Sequence, residues 1–491
     1  MTSNYDVIVI GGGVVGCLTA RALSRYQLRI LLLEREADVC SGTSKANTAI
    51  IHAGYDARPG SLKAALNVAG NRMYSQVCGE LGVLSERNGT YVVALEDEDR
   101  RTLEELRARG IRNGVPGLSI ISAEQMRKAE PLLSEQTRGA LFAETGGIVD
   151  PFMMTIAAAE NAVENGVELG LDTEVTGLEL RQGRVVGVKT QRGVFAGNYV
   201  VNSAGLYSDR IMAMAGLGGF CIKPRKGEYY VLDREKSQVR QVLFPCPTPV
   251  SKGIVVTPTS HGNTLVGPNA VNTDLRDDVV VTRQGLEEVF EGARRLVPSL
   301  DKRDVIAVFA GLRAAGNTGD FLIEASREAP GLVNLGGIES PGFTAAPAIA
   351  ERVVDLLRES GLALTPKRCF NPERHAAPRF AELSHRQQQE LIERDPRYGR
   401  VVCRCEMVTE GEIVAAIHAP VPARTYDGLK RRTRLGAGRC QGGFDTPRVI
   451  NILARELGVQ RTGVSKRGKG SEFLSRGTKE VEMVGTDEQQ E

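Results

Sequence analysis

The first buried segment of the chain reads Tyr5-Asp-Val-Ile-Val-Ile-Gly-Gly-Gly-Val-Val-Gly-Cys17. Val7 to Ile10 are apolar without interruption, which is typical of a parallel strand buried on both faces. Glycines follow with the spacing Gly-x-Gly-x-x-Gly, and a turn of this kind joins a strand to a helix. Gly11 would allow the tight turn, Gly13 would let the backbone approach a pyrophosphate, and Gly16 would let helix and strand pack closely.

The pattern continues as a complete βαβ unit. Val14 to Tyr26 carry a helical apolar pattern, and Leu28 to Leu33 give a second buried strand that ends at Glu34. Glu34 stands where an acid would accept a ribose hydroxyl of a dinucleotide. Because an acid disfavours a 2′-phosphate at that position, NADP is disfavoured, and NAD or FAD remains.

Composition narrows the class of protein. The chain has 491 residues, which suggests about three domains of ~150 residues. Its formal net charge is +2, with no long Lys/Arg block, so we expect no nucleic-acid partner. No apolar stretch approaches the ~20 residues that span a membrane, and the early buried strand leaves no room for a signal peptide. We therefore expect a cytoplasmic protein, for which peripheral membrane association stays open.

Small polar residues follow Glu34 where the chain would pass the phosphates of a bound dinucleotide, and they are Gly42, Thr43, Ser44 and Asn47. His52 then stands after an apolar pair and before Ala-Gly. A histidine in a phosphate-proximal loop is a candidate acid or base, and the alternative is an ordinary structural histidine.

Residues 229–357 predict several short strands followed by a helix. Tyr229 to Leu232, Gly253 to Pro258 and Thr264 to Gly267 predict short strands of an inserted antiparallel domain. Further on, a glycine-rich segment ending at Gly342 precedes a clear helix, Thr344 to Leu357. Such a helix N-terminus is a positive site suited to a reduced flavin.

Taken together, these motifs resemble the FAD-dependent D-amino-acid-oxidase superfamily. More narrowly, the chain is similar to the branch that holds glycerol-3-phosphate dehydrogenases and oxidases and L-2-hydroxyglutarate dehydrogenase. The resemblance rests on the glycine unit with Glu34, the Gly42–Ser44 and Asn47–Gly54 segments, Gly205, and Gly337-Ile-Glu-Ser-Pro-Gly-Phe-Thr-Ala-Ala-Pro347. It covers about residues 5–360 and implies non-covalent FAD and oxidation of a secondary alcohol.

The resemblance also implies roles for single residues. His52 would be the general base, Lys252, Arg313 and Ser340 would face the substrate, and Thr48 would lie beside it. The implied FAD contacts are Gly11, Gly13, Gly16, Glu34, Thr43, Ser44, Asn47, Gly205, Gly337, Gly342, Phe343 and Thr344. Two cations near the flavin would suit a small anionic substrate. They favour glycerol 3-phosphate, although a dicarboxylic hydroxy acid such as L-2-hydroxyglutarate would also be served.

A cysteine cluster marks the C-terminal region. Cys403-Arg-Cys405 is followed by Cys440 in a glycine-rich turn, and thiolates so close together ordinarily need a metal or a cluster. Residues 398–460 resemble the bacterioferritin-associated-ferredoxin-like [2Fe–2S] domain, whose pattern has a fourth cysteine where this chain has Asp445. Three alternatives follow: a cluster with an aspartate ligand, a fold that has lost its cluster, or, as the weaker reading, a zinc ion held by three thiolates and a carboxylate.

The expected fold class is α/β: a Rossmann-like FAD-binding domain with an inserted, mainly antiparallel β substrate domain, then a small C-terminal α-rich domain of the cluster-binding type. The expected boundaries are 1–365 for the oxidoreductase, 366–397 for a connecting segment, 398–460 for the C-terminal domain and 461–491 for a tail. Within the oxidoreductase, the FAD-binding parts are about 1–85, 145–215 and 310–360, and the substrate-domain parts are about 86–144 and 216–309.

Two routes for the electrons stay open. A dehydrogenase would pass them from reduced FAD through a cluster to an electron-accepting protein subunit or a quinone. An oxidase would reduce oxygen and would use the C-terminal domain only as a structural module.

Overall fold

A computed structural model describes residues 4–236, 239–247 and 253–477. The described chain forms two compact units. One contains residues 4–35 and 39–376, and the other contains residues 36–38 and 377–477. None of the helices in the described ranges is both long and apolar enough to span a bilayer.

The first unit mixes strands and helices throughout. Its strands are β1 (Asn4–Ile10), β2 (Ile30–Leu33), β3 (Ile50–Ile51), β4 (Ser85–Glu86), β5 (Thr90–Ala94), β6 (Leu118–Ser122), β7 (Gly139–Ala143), β8 (Gly147–Val149), β9 (Glu168–Gly170), β10 (Val175–Arg181), β11 (Arg184–Thr190), β12 (Gly193–Asn202), β13 (Ile222–Leu232), β14 (Val242–Pro245), β15 (Val255–Pro258), β16 (Thr264–Gly267), β17 (Val271–Asn272), β18 (Val305–Gly316), β19 (Leu322–Ala325) and β20 (Leu332–Gly336). Its helices are α1 (Val14–Leu23), α2 (Leu62–Leu81), α3 (Asp99–Arg112), α4 (Ala123–Ala129), α5 (Pro151–Glu164), α6 (Ser208–Met214), α7 (Arg283–Leu296) and α8 (Gly342–Glu359).

The dinucleotide-binding sheet is built around β1. Its strand order is β10-β11-β12-β1-β2-β9, and β20 pairs with the C-terminal part of β12. β1 runs parallel to both β2 and β12, and Val7, Ile8 and Val9 are fully buried. Because both faces of β1 are covered, the uninterrupted apolar run at its centre is explained. The predicted βαβ unit is confirmed, although α1 ends at Leu23 and β2 begins at Ile30.

A second sheet forms the inserted part, and it is antiparallel except that β14 runs parallel to β5. Its order is β17-β13-β16-β15-β14-β5-β7-β6, with β18 on the other side of β13. β13 pairs with β18 from Ile222↔Gly316 to Leu232↔Val305. The strand predicted from Tyr229 is therefore the end of a longer one, and Lys226 within it is a buried residue that pairs with Asp278 at 2.8 Å.

The extended chain after α5 is divided into two strands. The chain forms the short β9 and then starts β10 only at Val175. Between them Asp172 takes a positive φ of 49°, and the Thr173 N–H donates to the Glu34 carbonyl at 2.8 Å. The interruption therefore lies against the end of β2, where the parallel pairing of β9 stops.

The second unit is small and mostly helical. It contains α9 (His385–Arg394), α10 (Glu410–Ile417), α11 (Tyr426–Thr433) and α12 (Thr446–Leu457), with a two-stranded ladder of β21 (Val401–Cys403) and β22 (Val408–Thr409). Its core is one apolar cluster that includes Ile413, Leu429, Leu435, Val449 and Leu453. The predicted α/β class with an antiparallel insertion and an α-rich C-terminal region is confirmed.

A buried ion pair stabilises the second unit. The Asp38 carboxylate accepts hydrogen bonds from Arg431 at 2.7 Å and from Arg432 at 2.7 and 2.9 Å. All three side chains are at most 8% exposed. Burial raises the pKa of Asp38, but Arg432 and Arg431 outweigh it and hold that pKa below its usual 3.8.

Asp38→Asn should lower the free energy of unfolding of this unit by about 2 kcal/mol at neutral pH, because two buried guanidinium groups lose their counter-charge. Since the pKa of Asp38 is lowered in the fold, its contribution is present above the usual 3.8 and is lost as the pH falls through the folded value. Denaturant unfolding followed by circular dichroism would measure this. Asp427→Asn, which breaks the more exposed pair with Lys466, is the control and should cost less than ~1 kcal/mol. Equal losses in the two variants would contradict the assignment.

Candidate functional site

The glycine turn after β1 leaves the N-terminus of α1 open. Gly11 has a φ of +106°, and a Cβ on Gly16 would lie 2.0 Å from the Gly11 carbonyl oxygen. Gly13 begins α1 without a side-chain cap, and a Cβ there would meet only Ser44 Oγ, at 3.2 Å. Turn and helix therefore pack as the sequence predicts, and the backbone at Gly13 has room for a diphosphate at a positive helix end.

Glu34 is held against the glycine turn. Its Oε2 accepts a hydrogen bond from the Gly12 N–H at 2.7 Å, and the residue is half-buried at the end of β2. A carboxylate has about four acceptor positions, and a ribose hydroxyl is a donor that suits such a group. The acid, the turn and the helix end together fit the adenosine and diphosphate parts of a dinucleotide.

The loop after β2 packs against both α1 and β18. Ser44 Oγ accepts from the Val14 N–H at 2.9 Å, and the Asn47 side chain donates to the Ser44 carbonyl at 2.8 Å. Thr43 Oγ1 donates to the Leu312 carbonyl at 2.8 Å. A Cβ on Gly311 would lie 2.2 Å from the Ala46 carbonyl oxygen, so only glycine lets β18 approach this loop so closely.

His52 follows β3 and is anchored through its backbone. Its N–H donates to Thr344 Oγ1 at 2.9 Å, and its carbonyl accepts from Asn71 Nδ2 at 2.9 Å. The ring is left to face Ser340, whose Oγ lies 3.4 Å from His52 Nε2, and Phe244, whose ring centre is 6.0 Å away. The structure therefore brings together the residue predicted as the general base and one of those predicted to face the substrate.

Arg313 follows the segment of β18 that touches the loop after β2. Its guanidinium donates to the Asn269 carbonyl at 3.1 Å and also contacts the Tyr229 hydroxyl. Burial raises the pKa of Tyr229, and Arg313 opposes the shift. The Tyr229 ring stacks on Phe309 with centres 4.5 Å apart. Tyr229 was not predicted as a site residue, because its contact with Arg313 depends on the pairing of β13 with β18.

The segment before α8, which contains Ser340, forms another part of the site. Gly337 has a φ of +66°, and α8 begins at Gly342 without a side-chain cap. The Phe343 carbonyl accepts from Tyr74 OH at 2.9 Å, and Thr344 Oγ1 donates to the Ile50 carbonyl at 3.1 Å. Uncapped backbone N–H groups at this helix start offer positive charge to the part of a flavin that becomes anionic on reduction.

For the remaining predicted site residues the structure gives only the position in the chain or the exposure. Gly205 follows β12 with a φ of +56° and opens a short turn of 3-10 helix. Thr48 is half-buried in the loop between Asn47 and β3. Lys252 lies outside the described residues.

In the second unit the four predicted metal ligands form two contacting pairs. Cys403 contacts Asp445, and Cys405 contacts Cys440. Burial raises the pKa of Cys403 to about 11, and Asp445 adds to the shift. Burial also opposes ionisation of Cys440. The N–H groups of Gly442 and Phe444 outweigh this effect and hold the pKa of Cys440 below its usual value.

Asp445 supplies the main test of whether a cluster fits here. It is 1% exposed, its Oδ1 accepts from Tyr426 OH at 2.8 Å, and its Oδ2 is buried without a hydrogen-bond partner. A buried carboxylate oxygen without a partner is costly, and a metal would satisfy it, so the donor chemistry fits. Within residues 4–236, 239–247 and 253–477, no three His, Cys, Asp or Glu side chains are already close enough to hold a metal ion.

Comparisons with known proteins agree with this geometry. The profile of a family described as "FAD dependent oxidoreductase" matches residues 6–356, and that of the "BFD-like [2Fe-2S] binding domain" matches residues 401–455. The chain is 48% identical to the glycerol 3-phosphate dehydrogenase of Caloramator mitchellensis, over 97% of this chain and 99% of that protein. It is 29% identical to human mitochondrial L-2-hydroxyglutarate dehydrogenase, over 73% of this chain and 89% of that protein.

A solved structure extends the likeness to the cofactor. L-alpha-glycerophosphate oxidase from Mycoplasma pneumoniae, solved with FAD bound, matches with a TM-score of 0.73 and 31% identity, over 77% of this chain and 100% of that one. The predicted family resemblances and the predicted FAD are thereby confirmed. The chain belongs to the FAD-dependent oxidoreductase family, and its glycine turn, Glu34 and the starts of α1 and α8 fit that cofactor.

Proposed function

We propose that this enzyme oxidises the secondary hydroxyl of sn-glycerol 3-phosphate and yields dihydroxyacetone phosphate. The observation that supports this most directly is the pairing of His52 Nε2 with Ser340 Oγ at 3.4 Å, beside the uncapped start of α8. It gives a base and a hydroxyl at one position next to the expected flavin. The 48% identical glycerol 3-phosphate dehydrogenase supports the same substrate.

The chain's own residues would bind the substrate and take its proton. FAD, when bound, supplies the acceptor for the hydride that leaves the alcohol carbon. His52 takes the hydroxyl proton, so that loss of one hydride and one proton leaves a ketone. Ser340 orients the hydroxyl, and Arg313 holds the phosphate with two parallel hydrogen bonds. We assign Lys252 as the second cation and place Thr48 at the edge of the substrate.

The proposed FAD contacts are the residues predicted from the sequence. The glycine turn and the loop after β2 would bind the diphosphate, Glu34 the ribose, and the start of α8 the flavin ring. In full they are Gly11, Gly13, Gly16, Glu34, Thr43, Ser44, Asn47, Gly205, Gly337, Gly342, Phe343 and Thr344.

We also propose that electrons leave through the C-terminal unit. Cys403, Cys405, Cys440 and Asp445 would hold a [2Fe–2S] cluster, which relays single electrons to an acceptor protein or a quinone. An oxidase that reduces oxygen is the second candidate, because an oxidase matches only part of this chain: the glycerol 3-phosphate oxidase of Mycoplasma genitalium is matched over 97% of its length by 75% of this chain. We place the enzyme in the cytoplasm and propose the domain boundaries 1–365, 366–397, 398–460 and 461–491.

Anaerobic stopped-flow reduction of the flavin tests the substrate. Glycerol 3-phosphate should reduce the flavin much faster than L-lactate, because a monoanion leaves a site with two cations with uncompensated charge. It should also reduce the flavin faster than L-2-hydroxyglutarate, whose two charges lie on separate carboxylates and not on one phosphate. L-2-hydroxyglutarate carries two carboxylates and is therefore the sharper comparison. Faster reduction by either hydroxy acid would reject glycerol 3-phosphate and leave the flavin enzyme standing.

Arg313→Lys should weaken the binding of glycerol 3-phosphate about tenfold, because a point charge cannot make two parallel hydrogen bonds to phosphate. The concentration dependence of the flavin reduction rate gives the dissociation constant. Arg283→Lys, an exposed arginine on α7, is the control and should leave that constant unchanged. A tighter or equal affinity in Arg313→Lys would remove Arg313 from the substrate site.

Asp445→Ala should remove most of the iron from protein purified without oxygen, since three thiolates alone leave the cluster one ligand short. Iron and sulfide analysis and the visible spectrum measure this directly. Asp445→Cys should keep the iron and shift the absorption toward that of a cluster with four thiolates. A wild-type protein with flavin bands alone and no iron would favour the oxidase.

A further inference from the structure

The cysteine loops of the second unit present a distinctive surface. Residues 403–407 and 436–448 pack on each other so closely that a Cβ on Gly438 would lie 2.6 Å from the Cβ of Cys405. Gln441 and Pro447 are exposed in the second stretch. The charged and the large apolar side chains that the two stretches expose beside the thiols are here called the cysteine rim. It consists of Arg404, Met407, Arg439, Phe444 and Arg448.

The cysteine rim carries positive charge only. Its charged members are the three arginines, whereas the two acids of the same stretches, Glu406 and Asp445, are buried. Glu406 is paired with Arg434 at 2.8 Å, and Asp445 faces Tyr426 and Cys403. The acids therefore point inward while the arginines meet the solvent, so the rim as a whole attracts an anionic surface.

Two apolar side chains lie within the cysteine rim. Phe444 is 87% exposed and Met407 is 44% exposed. The Phe444 N–H is hydrogen-bonded to the Cys440 sulfur, so the aromatic ring stands in water directly beside a predicted cluster ligand. Arginine, methionine and aromatic residues are the types enriched in protein interfaces, and an aromatic residue among arginines is typical of an interface hot spot.

We propose that the cysteine rim is the docking surface for a small acidic one-electron carrier protein. Arg404 and Arg448 would steer the acidic surface of the carrier, and Phe444 would anchor it. This inference rests on the proposed exit of electrons through the C-terminal unit, and it specifies both the surface and the chemistry of the acceptor. A carrier docked here would meet the loop that contains Cys440, one of the proposed cluster ligands.

The rim fits a protein better than a lipid surface. An interfacial helix inserts a continuous apolar face into a membrane, but the apolar residues of α10, α11 and α12 are buried in the core of the unit. Met407 and Phe444 are the only large apolar side chains that the two stretches expose, with the small ring of Pro447 near Phe444 in the sequence. Such a small patch ringed by charge matches the weak, charge-steered encounters of electron-transfer proteins.

The test is a binding measurement on the full-length, FAD-loaded protein, with a plant-type [2Fe–2S] ferredoxin as the acidic probe and basic cytochrome c as the opposite probe. The ferredoxin should bind at low salt, and its affinity should fall at least tenfold as the ionic strength rises to about 0.5 M. Arg404→Glu/Arg448→Glu should weaken the low-salt affinity at least tenfold, and Phe444→Ser should weaken it several-fold. Arg386→Glu/Arg394→Glu on α9 makes the same change of net charge and should have little effect.

Each other outcome rejects the proposal. Absence of ferredoxin binding, equal losses in the rim and α9 variants, or tighter binding of cytochrome c would each overturn the docking surface. Binding of the wild type, but not of the rim variant, to anionic phospholipid vesicles in place of ferredoxin would assign the rim to a membrane instead. Flavin reduction by glycerol 3-phosphate is measured separately on the same proteins, so a failed substrate assignment is distinguishable from a failed docking surface.

Discussion

Gly13→Val is expected to fold and to be purified without FAD, with an affinity for added FAD at least on the order of a hundredfold below that of the wild type. The backbone of Gly13 has a φ of −79° and a ψ of 176°, which any residue adopts. A Cβ there would meet only Ser44 Oγ, at 3.2 Å, so the fold tolerates a side chain. The branched side chain would instead occupy the space in front of α1 that the diphosphate needs.

Fluorescence of FAD released on denaturation measures the bound cofactor, and circular dichroism checks the fold. Gly218→Val is the matched control, because no atom lies within 4 Å of its Cβ position and its φ lies outside the range that favours glycine. That variant should keep FAD. If Gly13→Val also kept its flavin, the diphosphate would not lie at the start of α1, and the assignment of the glycine turn would be wrong.

The cofactor-binding part of the fold could be predicted because its signals are local. The glycine spacing, the buried strands and Glu34 lie within one short segment, and each acts on its immediate neighbours. The ends of these elements could not be predicted so well. Tyr26 belongs to the helical pattern but forms a β-bridge with Pro366, and the Gln27 N–H donates to the Thr365 carbonyl. These distant contacts take residues away from α1 that local propensity would have kept in it.

The substrate side depends on pairings that span the chain. Lys223 to Gly227 contain proline, glycine and charges and look like a loop, yet they form the first half of β13 because β18 supplies its partner. The contact between Tyr229 and Arg313 arises from the same pairing. His52 and Ser340 were predicted as site residues from their motifs, but their proximity follows from the way α8 packs beside β3.

His52→Ala should leave FAD bound and slow its reduction by substrate about a hundredfold or more, in line with the contribution of a positioned base. The variant should fold, because His52 is anchored by its backbone: its N–H to Thr344 and its carbonyl to Asn71 are kept when the ring is removed. Stopped-flow reduction without oxygen gives the rate constant and the substrate dissociation constant separately. The rate constant should fall while the dissociation constant changes little, since Arg313 still holds the anion.

A matched comparison separates base catalysis from simple loss of packing. Ser340→Ala removes the hydroxyl that lies 3.4 Å from His52 Nε2 but keeps the imidazole, so it should slow reduction less than His52→Ala. His385→Ala, an exposed histidine on α9, should have no effect. A general base also gives the reduction rate a rise with pH, and this rise should flatten in His52→Ala and persist in Ser340→Ala. If His52→Ala kept both the rate and its pH dependence, the proton would be leaving to another group, and His52 would be a structural residue that only joins β3 to α8.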